Sequence, residues 1–167
     1  MKINDDHLYH GAALTQVAEH PTFKAINAFS KNGTRSRSAF LVSTDIGLYL
    51  KYASKPKKPF HEFVFTFNRE NIAELETLCE KTNKVFLALV CVDARQICCV
   101  PYHLFTELLD ARKKSKGGDE DAYTVLVTCA TGKRFRIYVN VPGRRKQMLG
   151  EKVIPRDNFP ETIFDKS

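Results

Sequence analysis

Val85-Phe86-Leu87-Ala88-Leu89-Val90-Cys91-Val92 is an unbroken apolar run bounded by Lys84 and Asp93. It is far shorter than the roughly 20 residues that cross a bilayer. A short run of this kind reads as a strand covered on both faces, which places it in the middle of a sheet. Asp93-Ala94-Arg95 then turns the chain into 96–100, closing a hairpin. Pro101 suits a helix start, and Leu104, Phe105, Leu108 and Leu109 continue at helical spacing. On the N-terminal side, Ile72, Leu75, Leu78 and Cys79 form the apolar stripe of a helix capped by Asn68. Its other face carries Glu70, Glu74, Glu76 and Glu80.

Further from that run, residues 60–67 alternate with period two and read as a strand with Phe63, Phe65 and Phe67 on one face. Phe60 joins these phenylalanines as expected core, because such a stripe buries more area than a stacking platform needs. Residues 46–52 form another strand, with Ile46, Leu48, Leu50 and Tyr52 on one face and Tyr49 and Lys51 on the other. Residues 39–42 read as a strand reached through the Ser43-Thr44-Asp45 turn. Residues 11–29 read as a helix split or kinked at Pro21, followed by a polar joint over 30–38 that contains the turn Asn32-Gly33. Downstream, 123–129 and 133–139 predict a second hairpin, and the basic, proline-marked remainder from Val141 is expected to pack along the surface. The reading is a single α/β (α+β) domain: a central mixed sheet flanked by helices, with a core over 11–110 and a C-terminal hairpin and basic extension over 122–167.

The chain has 167 residues, 26 Lys and Arg against 19 Asp and Glu, and a net charge of +7. This balance excludes an acidic tail and favours polyanionic partners. MKINDDHLYHG lacks an apolar core and carries Asp5 and Asp6, so it reads as neither signal nor transit peptide. Five cysteines without C-x-x-C spacing support neither a disulfide framework nor a zinc module, and the expectation is a reduced, cytoplasmic protein with no membrane partner. His7 and His10 suit capping or core-edge roles. Gly132-Lys133 lacks the rest of a phosphate-loop motif.

The order helix, three strands, helix, strand over about 11–92 resembles the core of the PD-(D/E)XK nuclease superfamily. Its chemistry uses an acid on one strand and acid-x-Lys on the next: two carboxylates hold a divalent ion and the lysine orients the attacking water. Here Asp45-Ile46-Gly47-Leu48-Tyr49-Leu50-Lys51 ends in the matching lysine, with Tyr49 where the second acid would stand. Asp45 lies six residues from Lys51, roughly 20 Å along a strand, too far to share one ion. If 46–52 and 60–67 pair antiparallel, Glu62 falls opposite Lys51 with Cβ atoms about 5 Å apart, and Glu19 on the first helix adds another carboxylate. The resemblance thus implies Lys51, Glu62, Glu19 and Asp45 as catalytic residues, with Mg²⁺ or Mn²⁺ as cofactor for phosphodiester hydrolysis. Two other readings stay open: a Glu62–Lys51 surface ion pair worth about 0–1 kcal/mol, and a descendant that binds without cleaving.

Basic residues cluster, and Lys133 to Lys146 contains no acid. Lys55, Lys57, Lys58, Lys133, Arg134, Arg136, Arg144, Arg145 and Lys146 are the expected nucleic-acid contacts, with DNA favoured over RNA. Arg134, Arg136 and Tyr138 share one strand face that can meet a backbone or a base. Arg112 to Lys116 reads instead as a solvated helix end whose cations complement the dipole. The rival reading is a homodimer built on the Glu70–Glu80 helix and the 85–100 hairpin.

Overall fold

The computed structural model describes residues 1–166, the side chain of Lys146 excepted. In chain order the elements are α1 (Asp5–Glu19), β1 (Ile26–Lys31), β2 (Thr34–Val42), β3 (Ile46–Ala53), β4 (Glu62–Asn68), α2 (Arg69–Lys81) and β5 (Lys84–Cys91). They continue with β6 (Gln96–Pro101), α3 (Tyr102–Lys116), β7 (Ala122–Thr128), β8 (Phe135–Val141), β9 (Arg144–Ile154) and α4 (Glu161–Phe164).

Asn4 starts α1: its side chain accepts from the His7 amide while His7 Nδ1 accepts from the Asn4 amide. The helix stops before Pro21, where His20 is already extended (φ −71°, ψ 134°). Beyond it, the segment expected to continue as helix becomes β1. Asn32 (φ 51°) and Gly33 (φ 75°) join it to β2 with the two positive φ values of a tight hairpin turn. The polar stretch 30–38 is therefore the hairpin itself. Its polar side chains hid the strand, because backbone pairing between β1 and β2 needs no apolar pattern.

The strands form a mixed sheet in the order β1-β2-β3-β5-β6 and an antiparallel sheet in the order β4-β7-β8-β9. In the first, β3 and β5 are parallel, from Ile46 opposite Lys84 to Ala53 opposite Cys91, and the other pairs are antiparallel. This is a single α+β domain, as its alternation of elements predicts. Three expectations are corrected. β4 does not pair with β3; it faces it from the second sheet. The hairpin of β7 and β8 is the centre of that second sheet. The chain from Arg144 is an 11-residue strand, β9, because Leu149 and Ile154 face the core while its backbone pairs with β8.

The core between the sheets takes Tyr49, Leu87, Leu89, Cys91 and Cys98 from one side. It takes Phe63, Phe65, Phe67, Val125, Val127, Ile137 and Val139 from the other. Leu75 and Leu78 of α2 and Phe105 and Leu108 of α3 close it. The opposite face of the mixed sheet packs Leu48, Leu50 and Ala88 against Ala13 and Val17 of α1. The apolar residues of the 85–100 hairpin thus lie inside the protein's own core. α2 approaches β3 so closely that a Cβ on Gly47 would lie 2.6 Å from Leu78 Cγ, which only glycine avoids.

Candidate nucleic-acid interface

Alternation along β4, β7 and β8 sends one set of side chains into the core and the other to the outer face of the second sheet. Glu62, Val64, Thr124, Leu126 and Asn140 take that outer face and floor a cavity of about 790 Å³. One wall is the β3–β4 loop. There the amide of Lys57 donates to the Glu62 carbonyl (2.7 Å) and the amide of Glu62 to the Lys57 carbonyl (3.1 Å), closing Lys58, Pro59, Phe60 and His61 into a tight excursion. The other wall is the β8–β9 turn with Gly143, Arg144 and Arg145. Lys57, Lys58, Arg144 and Arg145 are exposed, and none is ion-paired among the described residues.

The acids of the cavity are already engaged. Tyr138 donates its hydroxyl to the Glu62 carboxylate. Burial of the phenol and that neighbouring charge push the Tyr138 pKa well up. Arg112 donates from Nε (2.7 Å) and Nη2 (2.8 Å) to the two oxygens of Glu120 and from Nη1 to the Asn140 carbonyl (2.7 Å). Arg112 is thus a wall of the cavity as well as part of a helix end. Its hydrogen bonds, with Lys116 adding another, hold the Glu120 carboxyl at about 2 against the opposing effect of burial. A carboxyl depressed in the folded state stabilises the fold above its ordinary pKa near 4.5, and that contribution disappears as pH falls through about 2. At pH 7, Glu120→Gln is expected to cost about 1–2 kcal/mol, a figure reduced for solvent screening. Urea unfolding at a series of pH values should show the gap to the wild type closing between about pH 4.5 and 2.

The remaining expected contacts lie elsewhere. Lys133 and Arg134 precede β8 while Arg144 and Arg145 follow it, so the continuous basic stretch is divided between the two ends of that strand. Arg136 pairs with Glu151 (3.4 Å). Lys55 is exposed outside the cavity lining, and the side chain of Lys146 lies outside the described residues. Tyr138, expected to meet a base, is 1% exposed and tied to Glu62. Phe60, expected in the core, is 44% exposed at the cavity rim. It precedes β4, in the loop where His61 takes a positive φ of 58°, so it leaves the alternation that buries Phe63, Phe65 and Phe67.

The four candidate catalytic residues do not converge. Lys51 points between the sheets, where its ammonium donates to the Thr66 carbonyl and lies 5.0 Å from the Phe67 ring centroid. Burial draws its pKa down, opposed by the charge of Glu74. Glu62 is four residues from Thr66, roughly 13 Å of strand, and turns to the outer face. Glu19 is exposed at the end of α1, across the mixed sheet from the face that carries Lys51. Asp45 is exposed in the β2–β3 turn. The carboxylate whose charge acts on Lys51 is Glu74, which forms no ion pair with it and accepts a hydrogen bond from the Ser36 hydroxyl. Tyr49 lies beside Ser38, Asn71 and Glu74 without a well-formed hydrogen bond to any of them. Glu74, expected on the polar face of α2, is instead half-buried, because it lies next to Leu75 and one turn from Asn71 and Leu78. Among the described residues no three His, Cys, Asp or Glu side chains are grouped to hold a metal ion. One carboxylate whose charge reaches Lys51 without pairing with it does not fit the two-carboxylate site that Mg²⁺ or Mn²⁺ would occupy in the resembled family.

The five cysteines are free thiols; Cys91, Cys98 and Cys99 are buried, and burial raises the pKa of each. Among the described residues no helix is long and apolar enough to cross a membrane. The fold and cavity together define an α+β domain with a cation-rimmed cleft on the outer face of its second sheet. No family model, curated protein or solved structure matches the chain.

Proposed function

We propose that this protein binds DNA through the cavity on its second sheet and does so without cleaving it. The observation that carries the reading is the meeting, around one cavity, of Lys57 and Lys58 with Arg144 and Arg145, over 80 residues apart in the chain, while both cavity acids are engaged by other side chains. Unpaired cations at a concave site focus potential and neutralise phosphates, releasing counterions. Lys51 at the end of β3 is what remains of the resemblance to metal-dependent nucleases, and the donor set around it supports a protein without that metal chemistry.

The test is fluorescence anisotropy with labelled DNA across a salt series, alongside incubation of plasmid and single-stranded DNA with Mg²⁺ or Mn²⁺. Four phosphate contacts predict a slope of log affinity against log salt of about −3 to −4. Affinity that hardly responds to salt would overturn electrostatic binding. Metal-dependent cleavage that Lys51→Ala abolishes would overturn the non-cleaving assignment.

A further inference from the structure

Resting on that reading, we propose that the cavity takes single-stranded DNA, with an unpaired base stacked on Phe60 and the flanking phosphates held by Lys57, Lys58, Arg144 and Arg145. Phe60 is 44% exposed, whereas Phe29, Phe63, Phe65, Phe67, Phe105 and Phe135 are buried at 2% or less. Leaving so large an apolar surface in water costs stability that burial elsewhere would recover. Phe60 lines the cavity together with Pro59 and Glu62, on a loop whose ends are pinned by the reciprocal Lys57–Glu62 hydrogen bonds. A ring on a pinned loop loses little further freedom when a base stacks on it.

The size and lining of the site select the occupant. A volume of about 790 Å³ falls within the roughly 300–1,000 Å³ of cavities that enclose a small molecule. A duplex keeps its bases stacked inward and can offer such a cavity only its phosphate edge. A single strand can turn an unpaired base into it, where Val64 and Leu126 supply an apolar floor and Phe60 a flat face. Thr124, exposed in the lining, brings a hydroxyl that a base edge can meet. The cations sit on both walls, as a strand crossing the cavity with its phosphates on either side of the inserted base requires.

The experiment compares three probes of equal length by anisotropy: a single-stranded oligothymidylate, the same strand in a duplex, and an abasic sugar–phosphate strand. Wild type, Phe60→Ala and Phe60→Tyr are measured in parallel, with thermal melts to confirm folding. The expected result is that wild type prefers the oligothymidylate and that Phe60→Ala loses roughly 5- to 100-fold in affinity for it. Affinity for the abasic strand and the duplex should stay unchanged in Phe60→Ala, and Phe60→Tyr should restore the preference. An equal effect of Phe60→Ala on all three probes, or none on any, with salt-dependent binding retained, would overturn the stacking assignment and leave the binding reading standing. Failure of wild type to bind all three probes at low salt would overturn the binding reading itself.

Discussion

Alanine at Lys57, Lys58, Arg144 and Arg145 together is expected to lower affinity for single-stranded DNA roughly 100-fold at 0.15 M salt and to flatten its salt dependence. Each phosphate contact on a single strand contributes about 0.7 to the logarithmic salt slope, so four contribute about 2.8. Between 1 M and 0.15 M salt that slope corresponds to a factor of roughly 10². The comparison that makes the result specific is a second variant with alanine at Lys55, Lys133, Arg134 and Arg136. It removes the same charge, but its residues lie outside the cavity lining. Diffuse attraction to a basic protein would weaken both variants alike. A cavity-centred site predicts less than a tenfold loss for the second, because its charges make no phosphate contact in the cavity and act only through attraction that salt screens. Equal losses in the two variants, measured by anisotropy over the same salt range, would remove the cavity from the explanation. All eight residues are exposed, so neither variant is expected to unfold the protein.

Phe65→Ala is expected to destabilise the fold by about 3–5 kcal/mol, the cost of deleting a phenyl ring from a core that cannot collapse around the gap. Phe65 is 1% exposed, pairs with Val125 in the second sheet and faces the mixed sheet, so its ring helps hold the two sheets together. For a domain of this size the loss lowers Tm by roughly 6–20 °C. Phe60→Ala, five positions earlier, should stay within about 0.5 kcal/mol of wild type. Urea unfolding of both variants checks the contrast: the midpoint should fall sharply for Phe65→Ala with little change in slope, and hardly move for Phe60→Ala. The pair separates two roles of one residue type, since the first change is read in stability and the second in binding.

The local elements were legible where side-chain periodicity and chain chemistry agreed. Asn68 caps α2 through reciprocal hydrogen bonds with Asn71, and the two faces of β3 divide as alternation requires, with Ile46, Leu48 and Leu50 toward α1 and Tyr49 toward the second sheet. β1 and β9 were hidden for different reasons: Ala25, Ile26 and Phe29 fall at near-helical spacing, whereas the charged sequence of β9 carries no strong period, and the place of each is set by backbone hydrogen bonds to β2 and β8. The cavity was legible only as parts: its cationic residues stood out as charges, but Glu120 and Asn140 carry nothing in their local sequence to mark them. Phe60 does not belong to the buried stripe because position 60 is out of phase with 63, 65 and 67, and the strand begins only at Glu62.

By itself the sequence determined the class of the fold, because the apolar run at 85–92 and the stripe at Phe63, Phe65 and Phe67 demand burial wherever they are placed. It also determined the excess of positive charge. Which strand lies beside which was decided only in three dimensions. β3 has one open edge beside it, and β5, apolar on both faces, takes it; β4 has one apolar face and is buried by stacking across the core. That choice turns Glu62 away from Lys51 and onto the outer face, and it brings a loop and a turn from distant parts of the chain to opposite sides of one cavity. Local pattern can say that a face must be covered, but what covers it depends on competition among all the elements of the chain.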